Sequence, residues 1–331
     1  MIRFSRDADV LTVLRLHVPR APGVYLLCGE RGEILYVGMS ADLRQRLSNH
    51  LGQDLHTDHP RHARLIHAVR GVDYRTIDSE LLALLLEDEL IKRNRPPFNV
   101  RQNEFLEQQL LELTSETYPR LRMIDAGIEP DGRRFGPFRD RYLASGLLRL
   151  IHERVGLRSC RDRHPSARCL AYDLGHCCGP CRGRATPKAY GQRVRRAAAF
   201  LEGDVSDVVE ELRRSMERAG KRLAFERAEQ RKTQIAFCQR FGDQRRFLRA
   251  FREQRLVIEE DGPPPRVHVF VRGSRVDGET DGSPATRPAP GCSRTARDGA
   301  VDPRFLLDRA MLIRSWLQRN AQTSRHWFSD R

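Results

Sequence analysis

Six polar side chains in the first hundred residues are of types that can act together on a phosphate group: Tyr25, Tyr36, Arg46, His50, Glu87 and Asn99. A carboxylate with open water positions suits Mg²⁺ or Mn²⁺, because these hard cations prefer oxygen ligands. An arginine adds fixed positive charge, which stabilises a transition state that gains negative charge. If the fold gathers them, the set indicates metal-assisted chemistry with Glu87 as the metal ligand.

Cysteines form a second candidate site in the middle of the chain. Four of them follow the spacing C-x8-C-x7-C-x3-C, at Cys160, Cys169, Cys177 and Cys181, with Cys178 as an additional thiol. The N-terminus lacks the apolar core of a signal peptide, so clustered thiols are expected to bind a metal rather than form disulfides.

Two β-prone runs, 22–28 and 34–38, carry the tyrosines on either side of a Gly-containing loop, and they predict a hairpin. Asp42 is expected to cap the next helix, on which Arg46 and His50 lie one turn apart. The hairpin and this helix would bring the four side chains to one place.

A strand over 72–77 and a helix from Ser79 to about Asn94, which carries Glu87, complete the first unit. This pattern predicts an α+β domain over residues 20–100.

Downstream, the pattern predicts mainly helices. They cover about 140–155 and 186–256, followed by a strand over 266–271, a flexible loop at 277–300 and a last helix over 304–320. The sequence thus divides into five segments: an N-terminal extension (1–19), the α+β domain (20–100), a basic and Cys-rich connector (101–185), a helical region (186–261) and a Gly/Pro-rich segment (262–331).

The first hundred residues resemble the GIY-YIG endonucleases. The two tripeptides that name the family appear as Gly23-Val24-Tyr25 and Tyr36-Val37-Gly38, and Arg46, His50, Glu87 and Asn99 follow in the family order. The resemblance implies an antiparallel sheet flanked by helices and a divalent ion, Mg²⁺ or Mn²⁺, bound by Glu87 for hydrolysis of a DNA phosphodiester.

The resemblance also implies that a tyrosine is the general base. Tyr25 is favoured, with Tyr36 orienting water or phosphate, and the reverse assignment stays open. A phenol has a pKa of about 10, so a cation must help to deprotonate it. His50 would hold a tyrosine or the phosphate, and Asn99 would orient the site without touching metal.

The middle of the chain resembles the UvrC family of excision-repair nucleases. The resemblance rests on the Cys169–Cys181 segment, on the connector 131–138 and on the run 223–229. It implies a four-iron iron–sulfur cluster at the four spaced cysteines; their spacing also suits zinc, and unligated thiols are the third alternative. The run 223–229 is similar to the helical hairpin through which UvrC meets UvrB, and packing within this protein is the alternative.

One position departs from the family pattern. Relatives of this type carry a lysine directly after the second tripeptide, where this chain has Met39. If that lysine assists deprotonation of a tyrosine, activity here would be altered or would depend more on Arg44.

The chain has no room for the second nuclease domain and the helix-hairpin-helix module of full UvrC proteins, so it resembles the short members of the family, of the Cho type. The resemblance implies a monomer that makes the incision 3′ of a lesion in damaged DNA, on a complex delivered by UvrB with UvrA upstream. The alternatives are a non-catalytic adaptor that binds DNA and UvrB, and a free-standing structure-specific nuclease.

The net charge of +15 suits a polyanionic partner. Residues 1–100 contribute only +1, whereas 132–168 carry ten arginines against three acidic residues. We therefore expect DNA to be held by arginines: Arg133, Arg134, Arg141 and, beside the first site, Arg44. Codon bias explains the excess of arginine over lysine as well as selection for guanidinium chemistry does, but it does not explain the net charge. No apolar run is long enough to span a membrane, which predicts a cytoplasmic protein.

Overall fold

The computed structural model describes residues 2–3, 10–52, 60–99, 109–125, 128–129, 131–138, 140–160, 169–262, 264–276 and 303–329. It divides the chain into two compact units. The first unit joins residues 1–105 to residues 254–331, and the second covers 106–253. The expected loop at 277–300 and four arginines of the basic stretch, at positions 139, 161, 163 and 168, lie outside the described residues.

The first unit begins with an antiparallel sheet whose strand order is β1-β4-β2-β3. Its strands are β1 (Ile2–Arg3), β2 (Gly23–Cys28), β3 (Ile34–Ser40) and β4 (Gly71–Thr76). The predicted hairpin is present as β2 and β3, in a register that puts Tyr25 opposite Gly38 and Leu27 opposite Tyr36. Both tripeptides therefore lie side by side on paired strands, with β3 as the edge strand of the sheet.

Four helices surround this sheet: α1 (Val10–His17), α2 (Leu43–Leu51), α3 (Pro60–Ala68) and α4 (Glu80–Asn94). Asp42 caps α2 by accepting from the Gln45 amide, and Ser79 caps α4 by accepting from the Leu82 amide, as the sequence predicts. Helices α1 and α3 were not predicted. They supply Leu14 and Leu65 to the core of the unit.

The second unit contains a sheet that periodicity did not predict. It has three antiparallel strands in the order β6-β5-β7: β5 (Gln109–Thr114), β6 (Leu121–Asp125) and β7 (Gly132–Phe138). The central strand β5 is almost continuously buried, so its residues do not alternate between apolar and polar. An alternation test misses a strand of this kind.

Helices form the rest of the second unit: α5 (Arg141–Val155), α6 (Leu170–Asp173), α7 (Pro187–Glu202), α8 (Ser206–Lys221) and α9 (Phe225–Glu253). Helices α8 and α9 form a hairpin, and Gly203 ends α7 with a positive φ of 107°, a conformation that glycine adopts without strain. The five cysteines at positions 160, 169, 177, 178 and 181 lie in the segment between α5 and α7.

The first unit continues with a second antiparallel sheet, in the order β10-β9-β8-β11. Its elements are β8 (Arg255–Glu260), β9 (Arg266–Val271), β10 (Ser274–Val276), α10 (Pro303–Arg319) and β11 (Ser324–Ser329). The sequence predicts β9 and α10 but neither β8 nor β11. No helix in the described residues is long and apolar enough to cross a membrane.

This C-terminal part contacts the N-terminal end of α4. The Ser79 hydroxyl donates to Glu260 Oε2 at 2.7 Å, and His268 Nε2 lies 3.2 Å from the same hydroxyl and 3.0 Å from Glu260 Oε2. Trp316 Nε1 donates to Glu80 Oε2 at 3.1 Å. The C-terminal sheet and α10 therefore fix the start of α4.

A buried ion pair joins the last turn of α4 to α10. Lys92 Nζ lies 2.6 Å from Asp308 Oδ2 and 2.7 Å from Asp88 Oδ2, and the Lys92 and Asp308 side chains are about 5% exposed. A buried charge is tolerated only when it is paired, so these contacts hold the helix that carries Glu87 at its second end.

Candidate active site

The two tyrosines of the hairpin form the floor of the site. Their ring centroids are 6.1 Å apart, with the rings inclined at 37°. Gly38 lies between them, and a Cβ atom there would stand 2.7 Å from Tyr25 Oη and 2.9 Å from Tyr36 Cε1. Only glycine leaves space for both rings, which gives the last residue of the second tripeptide a steric role.

Helix α2 supplies Arg46 and His50 one turn apart, so both reach the tyrosines. Arg46 Nε donates to Tyr25 Oη at 3.4 Å. The His50 ring lies 5.5 Å from the Tyr36 ring and 6.3 Å from the Tyr25 ring, between centroids.

His62 is a neighbour of the site that the sequence did not reveal. It lies on α3, with its ring edge against His50 at a centroid distance of 4.7 Å. The Nε2 atoms of both histidines are buried and have no hydrogen-bond partner in the structure. No motif or spacing in the sequence singles out His62, because only the tertiary fold brings α3 next to α2.

Glu87 approaches the same strand from α4. Its Oε1 accepts a hydrogen bond from the Met39 amide at 3.2 Å, directly after the second tripeptide. Burial raises the pKa of Glu87 to about 7, with a further increase from Asp88, whereas the Met39 amide and Arg46 lower it. A nearby cation would offset this burial and keep the carboxylate charged.

Asn99 binds the backbone of the second tripeptide. Its Oδ1 accepts from the Val37 amide and its Nδ2 donates to the Val37 carbonyl, both at 2.8 Å. The side chain is 5% exposed and has both hydrogen-bonding ends engaged. In this position Asn99 joins the segment after α4 to β3 and has no free oxygen to offer a metal.

The two phenols differ in access to solvent. Tyr25 is fully buried, whereas Tyr36 is partly exposed. Burial is the main cause that raises the pKa of each phenol, and Arg46 lowers both pKa values. Both tyrosines are therefore neutral in the resting protein, and deprotonation needs a further positive charge.

His50 is uncharged at neutral pH. Burial lowers its pKa to about 4, and the electrostatic effects of His62 and Arg46 act in the same direction. A neutral imidazole carries one donor and one acceptor, so it can hold a phenol or a water by hydrogen bonding without adding charge.

A single divalent cation fits this donor set. In the part of the chain that the structure describes, no group of three or more His, Cys, Asp or Glu side chains is arranged to hold a metal ion. Magnesium does not require such a group, because it keeps several waters and often takes one or two carboxylates plus substrate phosphates. Glu87 is the residue that would hold it.

The expected DNA contacts have different surroundings. Arg44 Nε donates to the Val18 carbonyl at 2.6 Å, which directs that guanidinium toward the end of α1. Arg133 pairs with Glu202 and lies over Phe135, so its charge is partly neutralised. Arg141 is exposed at the first residue of α5.

Arg134 is the remaining expected contact, on β7. Its Nε and Nη2 atoms are buried and have no hydrogen-bond partner. Two unpaired donors are available there to a ligand that reaches them.

The cysteines do not form a metal site as the structure arranges them. None of the four spaced cysteines forms a disulfide, and no coordinating group is found among the described residues, to which all four belong. Burial raises the pKa of Cys177, and Cys178, Cys160 and Cys169 raise it further, so these thiols are neighbours.

Two family models match consecutive parts of the chain. Residues 21–100 match the UvrC-like GIY-YIG domain, and residues 109–200 match the UvrC/Cho excinuclease middle domain. Together they cover more than half of the chain. A crystal structure of the GIY-YIG N-terminal endonuclease domain of UvrC from Thermotoga maritima, bound to magnesium as its catalytic divalent cation, is 26% identical, with a TM-score of 0.24, and covers 28% of this chain and 98% of that one.

Relatives in other organisms carry the name UvrABC system protein C. The protein of Methanosarcina acetivorans is 34% identical over 211 residues, 64% of this chain and 40% of that protein. The protein of Dehalococcoides mccartyi is 32% identical over 271 residues, 80% of this chain and 44% of that protein. The chain thus spans about two fifths of the length of these relatives. With consecutive matches to both domain models, it belongs to the UvrC family and carries that family's GIY-YIG endonuclease domain at its N-terminal end.

Proposed function

We propose that the protein is a metal-dependent DNA endonuclease that cuts one strand 3′ of a lesion in nucleotide excision repair, acting on a UvrB–DNA complex. The observation that supports this proposal is the arrangement at β3. Arg46 reaches the tyrosine pair from α2, and Glu87 reaches the next backbone amide from α4. Glu87, Arg46 and the two phenols thus meet at the second tripeptide, which brings a metal ligand, a fixed positive charge and candidate proton acceptors close together.

The side chains divide the chemistry between them. A tyrosine that has first lost its own phenolic proton to solvent accepts a proton of the attacking water. Arg46 donates to Tyr25, and Tyr36 is the phenol that solvent reaches. Arg46 stabilises the phenolate and the negative charge that develops on the phosphate. A divalent ion bound by Glu87 would neutralise the scissile phosphate and stabilise the leaving 3′ oxygen.

Three further residues position these groups. Neutral His50 orients a tyrosine or the attacking water, and His62 fixes its ring from the outer side. Asn99 holds Val37, so the second tripeptide cannot shift relative to α4. Each acts on the geometry of the site rather than on its charge.

Removal of the metal ligand tests the nuclease assignment. Glu87→Ala should abolish nicking in Mg²⁺ or Mn²⁺ while DNA binding is retained. The matched control is Glu89→Ala on the same helix, which removes a carboxylate paired with Arg93 on the surface and should leave the rate unchanged. A Glu87→Ala rate equal to that of the control would contradict the site assignment, whereas absence of nicking by the wild type in either metal would favour the adaptor.

The repair context is tested by incision of a lesion-bearing duplex. Cutting 3′ of the lesion should require UvrA and UvrB, because nothing in the site reads base edges and phosphate contacts are sequence-blind. Equal cutting of branched DNA without these two proteins would favour the free-standing nuclease instead.

The α8–α9 hairpin is the proposed UvrB contact. Its tip exposes Leu223 by 73% and Phe225 by 69%, and such apolar side chains at a tip favour a partner protein. Phe225→Ser should weaken UvrB binding at least tenfold in a pull-down or by interferometry. Leu174→Ser, which changes a 59% exposed leucine outside the hairpin, is the control that should not.

For DNA, we propose Arg141 as the surface contact. It begins α5 next to Tyr142, which is 90% exposed, and a cation beside an exposed aromatic ring suits a nucleic-acid strand. Arg141→Glu should lower DNA affinity more than Arg133→Glu, because Arg133 is already paired with Glu202. Similar losses for the two variants would show that the ion pair opens on binding.

A metal centre at the cysteines stays a prediction of the sequence. It would require the sulfurs of the four spaced cysteines to come within coordination distance of one metal centre. Iron and zinc analysis of protein purified without air, together with its visible absorption, distinguishes an iron–sulfur cluster from zinc and from free thiols.

A further inference from the structure

Two arginines on different helices of the second unit converge on a single acceptor. Arg154 Nη2 on α5 donates to Gln234 Oε1 at 3.4 Å, and Arg231 Nη1 on α9 donates to the same oxygen at 2.8 Å. Both guanidinium groups are only partly exposed. Two positive charges thus share one neutral amide oxygen.

This arrangement is electrostatically unfavourable without a ligand. Burial lowers the pKa of Arg231, and the charges of Arg154 and Arg227 lower it further. Glu153 acts in the opposite direction, yet no ion pair within the described ranges joins either Arg154 or Arg231 to a carboxylate. Arg154 Nε is also buried without a hydrogen-bond partner. The fold therefore holds donors and positive charge that its own side chains leave uncompensated.

We propose that Arg154, Arg231 and the exposed Arg227 form a phosphate-binding site for the nucleic-acid backbone between α5 and α9. The choice of nucleic acid as the source of the phosphate rests on the proposed function, whereas the arginine cluster does not. A phosphate accepts from several guanidinium groups at once and carries the negative charge that Gln234 lacks. Arg154 lies outside the run 223–229 that resembles the UvrB contact, whereas Arg227 lies within it.

A backbone phosphodiester suits the site because its three arginines offer cationic donors from two helices. Arg227 precedes Arg231 by one helical turn, so the positive surface continues along α9. Contacts of this kind fix the position of a strand without reading its sequence. The site would hold DNA on the second unit independently of metal at Glu87.

The test measures DNA binding by fluorescence anisotropy in EDTA, where no cleavage occurs, on a gapped duplex at several salt concentrations. Arg231→Gln and Arg154→Gln are compared with Arg240→Gln, which removes an exposed arginine from the same helix. Loss of one phosphate contact should reduce the salt slope by about 0.9, so between 50 and 200 mM salt the wild type should lose about 3.5-fold more affinity than the variant. Arg240→Gln should change neither quantity.

Gln234→Glu is the sharper variant, because it keeps both arginines and places a carboxylate between them. It should raise the melting temperature and weaken DNA binding, two effects of opposite sign. A simple structural role for the arginines would instead leave DNA binding unchanged in all three variants, and this result would overturn the proposal. Since the assay contains no metal, failure of the nuclease assignment would not affect its outcome.

Discussion

Glu87 should destabilise the metal-free protein in the pH range in which the nuclease is expected to work. The structure raises the pKa of this carboxyl from an ordinary 4.5 to about 7, mainly through burial. Below pH 4.5 the group is protonated in the folded and unfolded chains alike. Between these pH values the unfolded chain ionises first, so stability is lost as the pH rises and reaches a constant deficit above about 7.

The size of this deficit follows from the shift. A pKa difference of about 2.5 between the folded and unfolded chains corresponds to about 3 kcal/mol of unfolding free energy. The carboxyl is partly open to solvent, so we expect about 2 kcal/mol to remain. Glu87→Gln keeps an acceptor for the Met39 amide and removes the charge. It should therefore raise the melting temperature at pH 8 by about 4–8 °C while abolishing cutting.

Thermal denaturation in EDTA at pH 4.5, 6 and 8 measures the effect, with Glu89→Gln as the control. The stabilisation by Glu87→Gln should grow with pH, whereas the exposed control should shift stability by less than about 1 kcal/mol at each pH. Addition of Mg²⁺ at pH 8 should stabilise the wild type and not Glu87→Gln. A stabilisation that is the same at pH 4.5 and 8, or a variant that melts earlier at pH 8, would refute this reasoning.

Three further substitutions test how the site is held. Gly38→Ala places a methyl group between the tyrosine rings and should lower the nicking rate at least tenfold, since overpacking costs about 1–3 kcal/mol; a normal rate would show that the rings can separate. Asn99→Ala leaves the buried Val37 amide and carbonyl unpaired and should reduce the unfolding free energy by about 2–4 kcal/mol in urea denaturation. An unchanged unfolding free energy would show that a water replaces the lost side chain. Lys92→Met isolates the buried charge of Asp308 and should cost about 3–5 kcal/mol by the same method, whereas the double variant with Asp308→Leu should recover most of the loss.

Local patterns predicted the elements whose signals are contained in neighbouring residues. The β2–β3 hairpin, the caps at Asp42 and Ser79, and helix α10 follow from turn residues, capping side chains and helical periodicity. Strand β5 was missed because it is buried on both faces and does not alternate.

Local patterns could not predict the pairing of strands that lie far apart in the chain, for a different reason. Strands β8 and β11 pair with each other across more than sixty residues, and their register depends on packing that no local window contains. The contacts of Trp316 and Asp308 with α4 belong to the same class.

The sequence by itself indicated the kind of chemistry, because the residue types and their order predict a metal ligand, a fixed positive charge and two phenols. The tertiary structure decided how these groups behave. Burial, which depends on the whole fold, moves the pKa of Glu87 to about 7 and that of His50 to about 4. His62 lies beside His50 because α3 packs near α2. Arg154 and Arg231 likewise converge on Gln234 because the fold brings α5 next to α9. Such properties depend on distances between residues far apart in the chain, which local spacing does not encode.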